Sequence, residues 1–409
     1  MRVAPGEASR DRHDRLRRAL GGEPLPLALV DLDALDHNVE ALLAPVRASG
    51  KTLRIASKSI RCPVLLRYLL DRGGAAVRGL MAYSCAEARF LASQGFDDLL
   101  IAYPTAQLHD ARLVAEANLA GARVSLAVDC AEHLAVASRA AVNLAATIPV
   151  IIDVDVSYRL LGGRAHLGVR RSPLHTARQV GALAAQIASY PGLSLGGVLA
   201  YEAHLAGLPD HSPLSPLLDV PRRAVKELSR APVLALRREI QAELARLGLS
   251  APVFNGGGTG SVPWSVQDPA LTEITAGSGF LDSHLFDHYR GVELRPAAFF
   301  ALQITRRPAP GFVTCQGGGF VASGSAGPDR LPLPYLPEGL SLLGMEGAGE
   351  VQTPLRVPAG LDLALGAPVF FRHAKAGELA EHFQEYLLVR GDRIEGRAPT
   401  YRGAGHRFI

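Results

Sequence analysis

Eight times between Leu53 and Thr275, a short apolar run gives way to a stretch with apolar residues at three- and four-residue spacing. The runs are Leu53–Ser57, Gly79–Tyr83, Leu99–Ala102, Arg123–Val128, Pro149–Val154, Leu195–Tyr201, Pro252–Asn255 and Leu271–Thr275. Between them, Pro63–Leu70, Ala86–Gln94, Ala106–Ala120, Ala131–Leu144, Leu174–Ser189 and Val220–Leu247 carry helical periodicity. Strands joined by helical crossovers form parallel sheets. Eight of them make a (β/α)8, TIM-like barrel, and a doubly wound open sheet is the alternative. The polar residues decide between the two, because a barrel collects its chemistry after the C-terminal ends of several strands. Those ends carry Lys58, Ser84, Pro104, Asp129, Asp155, the segment Tyr201 to His204, the loop Asn255 to Gly260 and the segment Thr275 to Gly279. We therefore expect an α/β barrel over residues 34–290.

After Arg290 the helical period disappears, and Gly/Pro punctuation separates short alternating runs such as Ala298–Ile304, Gly319–Ala322 and Pro368–Arg372. This predicts a C-terminal all-β domain. The early strand Leu27–Leu32 has no place left in the barrel, so residues 1–33 are assigned with 291–409 to the β domain. Residues before Pro24 read as a polar helix, and Asp33 as the cap of a helix reaching Ala48.

Composition narrows the function classes. A net charge of +4 over 409 residues, with no Lys/Arg block interleaved with aromatics, argues against nucleic acid. No apolar run spans a bilayer and no signal peptide is evident. The four cysteines (Cys62, Cys85, Cys130, Cys315) have no CxxC spacing and read as buried thiols of a cytoplasmic protein.

The chain has four lysines, Lys51, Lys58, Lys226 and Lys375, and uses arginine for the rest of its positive charge. Lys58 stands at the end of the first barrel strand. A lysine can give up its proton when desolvated, and only a neutral amine forms a Schiff base. The other reading is a surface lysine at a strand–loop junction. After the seventh strand comes Asn255-Gly256-Gly257-Gly258-Thr259-Gly260. Successive glycines let amides converge on a phosphate, at a place where barrels commonly bind one; a tight turn is the plainer reading. A Schiff-base lysine opposite a phosphate cup implies pyridoxal 5'-phosphate.

The segments ALVDLDALDHNV, LRIASKSIR, GLMAYSCAEARFLASQGFDDLLIAYP, VDVSYRLLGGRAHLGV, GVLAYEAHLAG, NGGGTGS and TEITAGSGFLD carry a resemblance. The chain resembles the fold-type III pyridoxal-phosphate family, the alanine-racemase-like barrel with a β domain. Within it, it is most similar to the D-threonine aldolase and D-serine dehydratase branch. The resemblance implies that Lys58 holds the cofactor. It implies that Gly256, Gly257, Gly258, Thr259 and Gly260 cup the phosphate, with Tyr201 nearby. The arginine that faces the pyridine nitrogen is replaced by His166, with Arg159 or Arg164 as possible substitutes. The branch places a metal on a late His-x-Cys or His-x-Asp pair. Here His373 is present, but Lys375 stands in the second position, leaving Glu346, Glu350, Glu378 or His382 to complete any site.

The resemblance implies a lyase acting on a D-β-hydroxy amino acid, by Cα–Cβ cleavage or by elimination. Lys58, His204 and His373 are the expected catalytic residues, His373 doubling as the ligand of an optional divalent metal. An amino-acid racemase of the same fold, or a non-catalytic cofactor-binding protein, is the alternative. The β domain favours an enzyme whose site is closed by a second subunit, hence a homodimer.

Overall fold

The computed structural model describes residues 9–160, 165–212 and 214–408. Eight parallel strands close a barrel in sequence order: Thr52–Ala56, Val77–Ala82, Leu99–Ile101, Val124–Val128, Ile148–Asp153, Leu193–Leu199, Val253–Gly256 and Glu273–Ala276. The eighth strand pairs back to the first, with Ile274 opposite Leu53 and Ala276 opposite Ile55. All eight coincide with the runs read from the sequence, within about two residues at each end.

Strand alternation sorts the side chains. Leu53 and Ile55 join the shell of barrel helices, whereas Met81, Leu100, Ala102, Ile151, Leu199 and Val253 pack together as a separate cluster in the lumen. The lumen also holds a polar layer. Arg54 donates from Nε to Glu273 Oε1 at 2.7 Å and from Nη2 to Asp98 Oδ1 at 2.7 Å, and Asn255 Nδ2 donates to the same Glu273 oxygen at 2.6 Å. Arg54 and Glu273 are both about 1% exposed. Deleting one partner would strand the other's buried charge, at a cost of about 3–5 kcal/mol.

Local chemistry sets the crossovers. Pro63 occupies the first turn of the helix Pro63–Gly73, where its missing N–H costs nothing. Ser84 and Thr176 cap the helices Cys85–Ser93 and Ala177–Ile187 by accepting from the amides of Glu87 and Gln179.

The β domain is a nine-stranded sheet built from both chain ends. Leu27–Asp31 lies in it, antiparallel to Ala298–Arg306 and parallel to Glu385–Arg390. Leu16 and Leu20 of the N-terminal helix Ser9–Leu20 pack on this sheet with Leu29, Phe299, Phe370 and Leu387. Arg12 and Arg15 meet the buried Asp31 carboxylate at 2.8 and 2.7 Å. The cap of the helix Leu32–Ala48 is Asp31, whose side chain accepts from Ala34 N; this corrects the expectation for Asp33, which instead accepts from Gly391 N at 2.9 Å. No described helix is long and apolar enough to cross a membrane.

Candidate active site

The first barrel strand ends in a 3-10 turn, Ser57–Ser59. Ser57 Oγ donates to Met81 O at 2.9 Å, and Ser59 Oγ meets Ser278 Oγ at 3.1 Å, so both shoulders of the turn are tied to neighbouring strand ends. Lys58, between them, projects into a cavity of about 420 Å³ at the C-terminal mouth of the barrel. Its Nζ donates to Tyr103 Oη at 3.2 Å. Burial pushes the Tyr103 phenol up, but the Lys58 and Arg171 charges beside it outweigh this and hold it below its ordinary value.

Arg171 reaches this cavity beside Tyr103, and sequence reasoning missed it. Its Nε donates to Asp153 Oδ2 at 3.0 Å and its Nη2 to Ala102 O at 2.8 Å. Its guanidinium lies 5.3 Å from the Tyr103 ring and 6.0 Å from that of Tyr201. Burial pushes Asp153 up to about 6; Asp129 and Asp155 add to this, against the pull of Arg171. The residues expected in this role lie elsewhere. His166 pairs with Arg159 across the small hairpin Tyr158–Leu160/Ala165–Leu167, outside the cavity, and Arg159 is held by Asp155 at 2.7 Å. Arg164 lies outside the described residues.

The glycine loop forms the wall opposite. Gly257, Gly258 and Thr259 line the cavity with Tyr201, while Gly260 faces a neighbouring groove and Gly256 ends the strand. Two of the expected donors are already committed: Gly257 N donates to Glu202 Oε2 at 3.0 Å and Gly258 N to Ser261 Oγ at 3.1 Å. Glu202 anchors the loop from beneath, fully buried, accepting also from Ser261 and Ser265 and pairing with Arg237. The amides left for an anion are the first of the 3-10 turn Thr259–Ser261 and the first of the short helix Ser278–Leu281; the next, Gly279 N, donates to Thr259 Oγ1 at 3.1 Å. Side chains would not fit here. A Cβ on Gly258 would lie 2.7 Å from Ala206 Cβ, and one on Gly277 2.8 Å from Ala56 Cβ and from Ser59 Oγ. The fixed lysine amine, the facing amides and the glycine-lined cradle fit a phosphate-bearing aldehyde such as pyridoxal phosphate.

The two catalytic histidine expectations are not brought to this cavity. His204, on the short helix Ala203–Ala206, is buried against a separate apolar recess lined by Leu167, Val169, Leu208 and Val225. His373 follows the strand Pro368–Arg372 but turns its ring into the protein. Its carbonyl accepts from His284 N, and neither ring nitrogen has a hydrogen-bond partner of normal geometry. Burial, with Arg372 and His284 nearby, pushes its pKa down to about 3. The following residues, Ala374 to Glu378, do line the cavity.

This placement fails the donor test for a metal. Among the described residues, the one group of three His, Cys, Asp or Glu side chains with converging donor atoms is Asp129, Cys130 and His133, away from the cavity. Glu378 is hydrogen-bonded to Ser323, His382 stacks on Phe320 at 4.5 Å, and Glu346 and Glu350 are exposed. Cys85 is a packing residue, its thiol pushed up to about 12 by burial.

A parallel barrel with a lysine at the end of its first strand, a glycine loop after its seventh and a β sheet over its mouth defines the barrel class of pyridoxal-phosphate enzymes. Residues 30–271 match the family model described as "Alanine racemase, N-terminal domain", and the chain belongs to that fold-type III family. It is 28% identical over 323 residues to a D-threonine aldolase from an Arthrobacter species, covering 76% of this chain and 77% of that one. The D-threonine aldolase structure from Filomicrobium marinum superposes with a TM-score of 0.77 at 20% identity, over 93% of this chain and 95% of that one. The D-threo-3-hydroxyaspartate dehydratase structure from Delftia sp. HT23 does so with a TM-score of 0.73 at 19% identity, over 93% and 98%. One fold thus carries both cleavage and elimination.

Proposed function

We propose that this chain is a pyridoxal-phosphate-dependent lyase that cleaves the Cα–Cβ bond of D-configured β-hydroxy amino acids. The observation that carries the reading is the facing pair of Lys58 Nζ and the Thr259/Ser278 amide cradle on one cavity. The Arthrobacter relative supports the reaction type. Lys58 would hold the cofactor and the cradle its phosphate, and when bound the cofactor supplies an electron sink conjugated with the amino acid's Cα.

The chain's own residues do the rest. Tyr103 fixes the Lys58 amine, which can give or take a proton at Cα. Arg171, pinned by Asp153 and Ala102 O, presents a fixed positive charge where a carboxylate or ring edge would lie. Arg330 and residues 374–378 of the β domain cover the mouth and limit the entry of water. A second copy of the chain belongs to this reading, to be checked by sedimentation of the holoprotein.

The test is product identity. Purified protein supplied with the cofactor is incubated separately with D-threonine, D-serine and D-alanine. Glycine and acetaldehyde from D-threonine are expected. Keto acid and ammonia would assign elimination instead, and interconversion of alanine enantiomers without either product would assign a racemase.

A further inference from the structure

We infer that this site works without a divalent metal, and that Lys375, Ser323 and Glu378 supply the charge and the base that the substrate's hydroxyl needs. The inference rests on the lyase reading above. Its first support is the path of the chain after Arg372. His373 is turned inward, and the side chain that reaches the cavity two residues later is an ammonium. An ammonium has no lone pair for a cation and repels one.

The second support is a built constellation. Lys375 Nζ donates to Ser323 Oγ at 2.8 Å and lies 3.8 Å from Glu378 Oε1. Ser323 in turn donates its backbone N–H to Glu378 Oε2 at 2.8 Å and its hydroxyl to Oε1. Ser323 therefore holds a cation and a carboxylate at one spacing on the cavity wall. Third, the wall itself disfavours a dication. Among its described residues are Lys58, Arg61, Arg171, Arg330 and Lys375, against the single carboxylate of Glu378. The acids that offset Arg61, Arg171 and Arg330 are Glu381, Asp153 and Asp329, and none of them lines the cavity.

In the cleavage step the hydroxyl proton passes to the Glu378 carboxylate, and the freed O–H pair forms the second bond of the aldehyde C=O. The Cα–Cβ pair remains with Cα, which takes a proton from the Lys58 ammonium. Lys375 donates to the hydroxyl oxygen throughout, where negative charge develops.

Three measurements on the holoprotein test this. Turnover of D-threonine should be unchanged after exhaustive chelation and should not rise with added Mn²⁺. Lys375→Met should lower kcat by about 100-fold, as loss of a charge-stabilising donor does. Lys375→Arg should remain within about tenfold of the parent, with the cofactor absorbance the same in all three. Mn²⁺ calorimetry should give identical results for the parent and His373→Ala. Activity abolished by chelator and restored by Mn²⁺, a Lys375→Met variant as active as the parent, or a Mn²⁺ site that His373→Ala removes would each overturn the inference. If the parent cleaves no β-hydroxy amino acid, the lyase reading is what has failed, and calorimetry alone decides the metal question.

Discussion

Glu87 shows how a single buried carboxyl props the lysine turn. It accepts from Tyr83 N and Tyr401 Oη, both at 2.8 Å, while Tyr401 N donates to Arg61 O just past Lys58. Burial pushes its pKa up from 4.5 to about 7, against those hydrogen bonds. The native state then binds a proton that the unfolded chain releases, so this carboxyl's contribution to stability is full below about pH 4.5 and is lost as pH rises toward 7. The loss is on the order of 3 kcal/mol. Glu87→Gln should flatten that slope in urea titrations across pH 4.5–7; an unchanged slope would show that Glu87 is not its source. At this scale legibility was uneven. Lys58 stood out because lysine is scarce in this chain, whereas Arg171 was lost among many arginines. His204 and His373 sit at the right elements, but sequence position does not tell which way a ring turns when the backbone leaves a strand.

Among the elements by which the β domain meets the barrel, the helix Ala376–Leu379 packs directly on the lysine turn. Gly377 lies against the lysine turn so closely that a Cβ there would come 1.7 Å from Lys58 O and 2.8 Å from its carbonyl carbon. Gly377→Ala must displace one or the other. We expect a stability loss of about 2 kcal/mol from overpacking and a marked fall in kcat with unchanged far-UV circular dichroism. Gly344→Ala, exposed and with nothing within 4 Å, should change neither. A Gly377→Ala variant with the parent's stability and kcat would show that the contact yields without consequence. The elements themselves were legible because barrel strands are apolar runs between amphipathic helices. The details were not: the cap fell on Asp31 rather than Asp33, and Glu202, unremarkable in sequence, consumes one of the glycine-loop amides.

For the whole molecule, the arrangement is a barrel whose mouth is covered by a sheet made from the two chain ends. The strand Leu27–Asp31 could be placed in that sheet by counting, since eight other runs already closed the barrel. The cavity's charge balance was legible in part: Lys375 and Glu378 stood out beside His373, whereas Arg330 comes to the mouth from a region read only as β hairpins. Everything proposed for this cavity depends on Lys58 being the amine that takes the cofactor. The holoprotein should absorb near about 420 nm, and reduction with borohydride should move that band and fix the cofactor in place. After digestion, peptide mass mapping should then find the reduced pyridoxyl group on Lys58. The same label on Lys51 or Lys375, or cofactor washed away unreduced, would contradict the account.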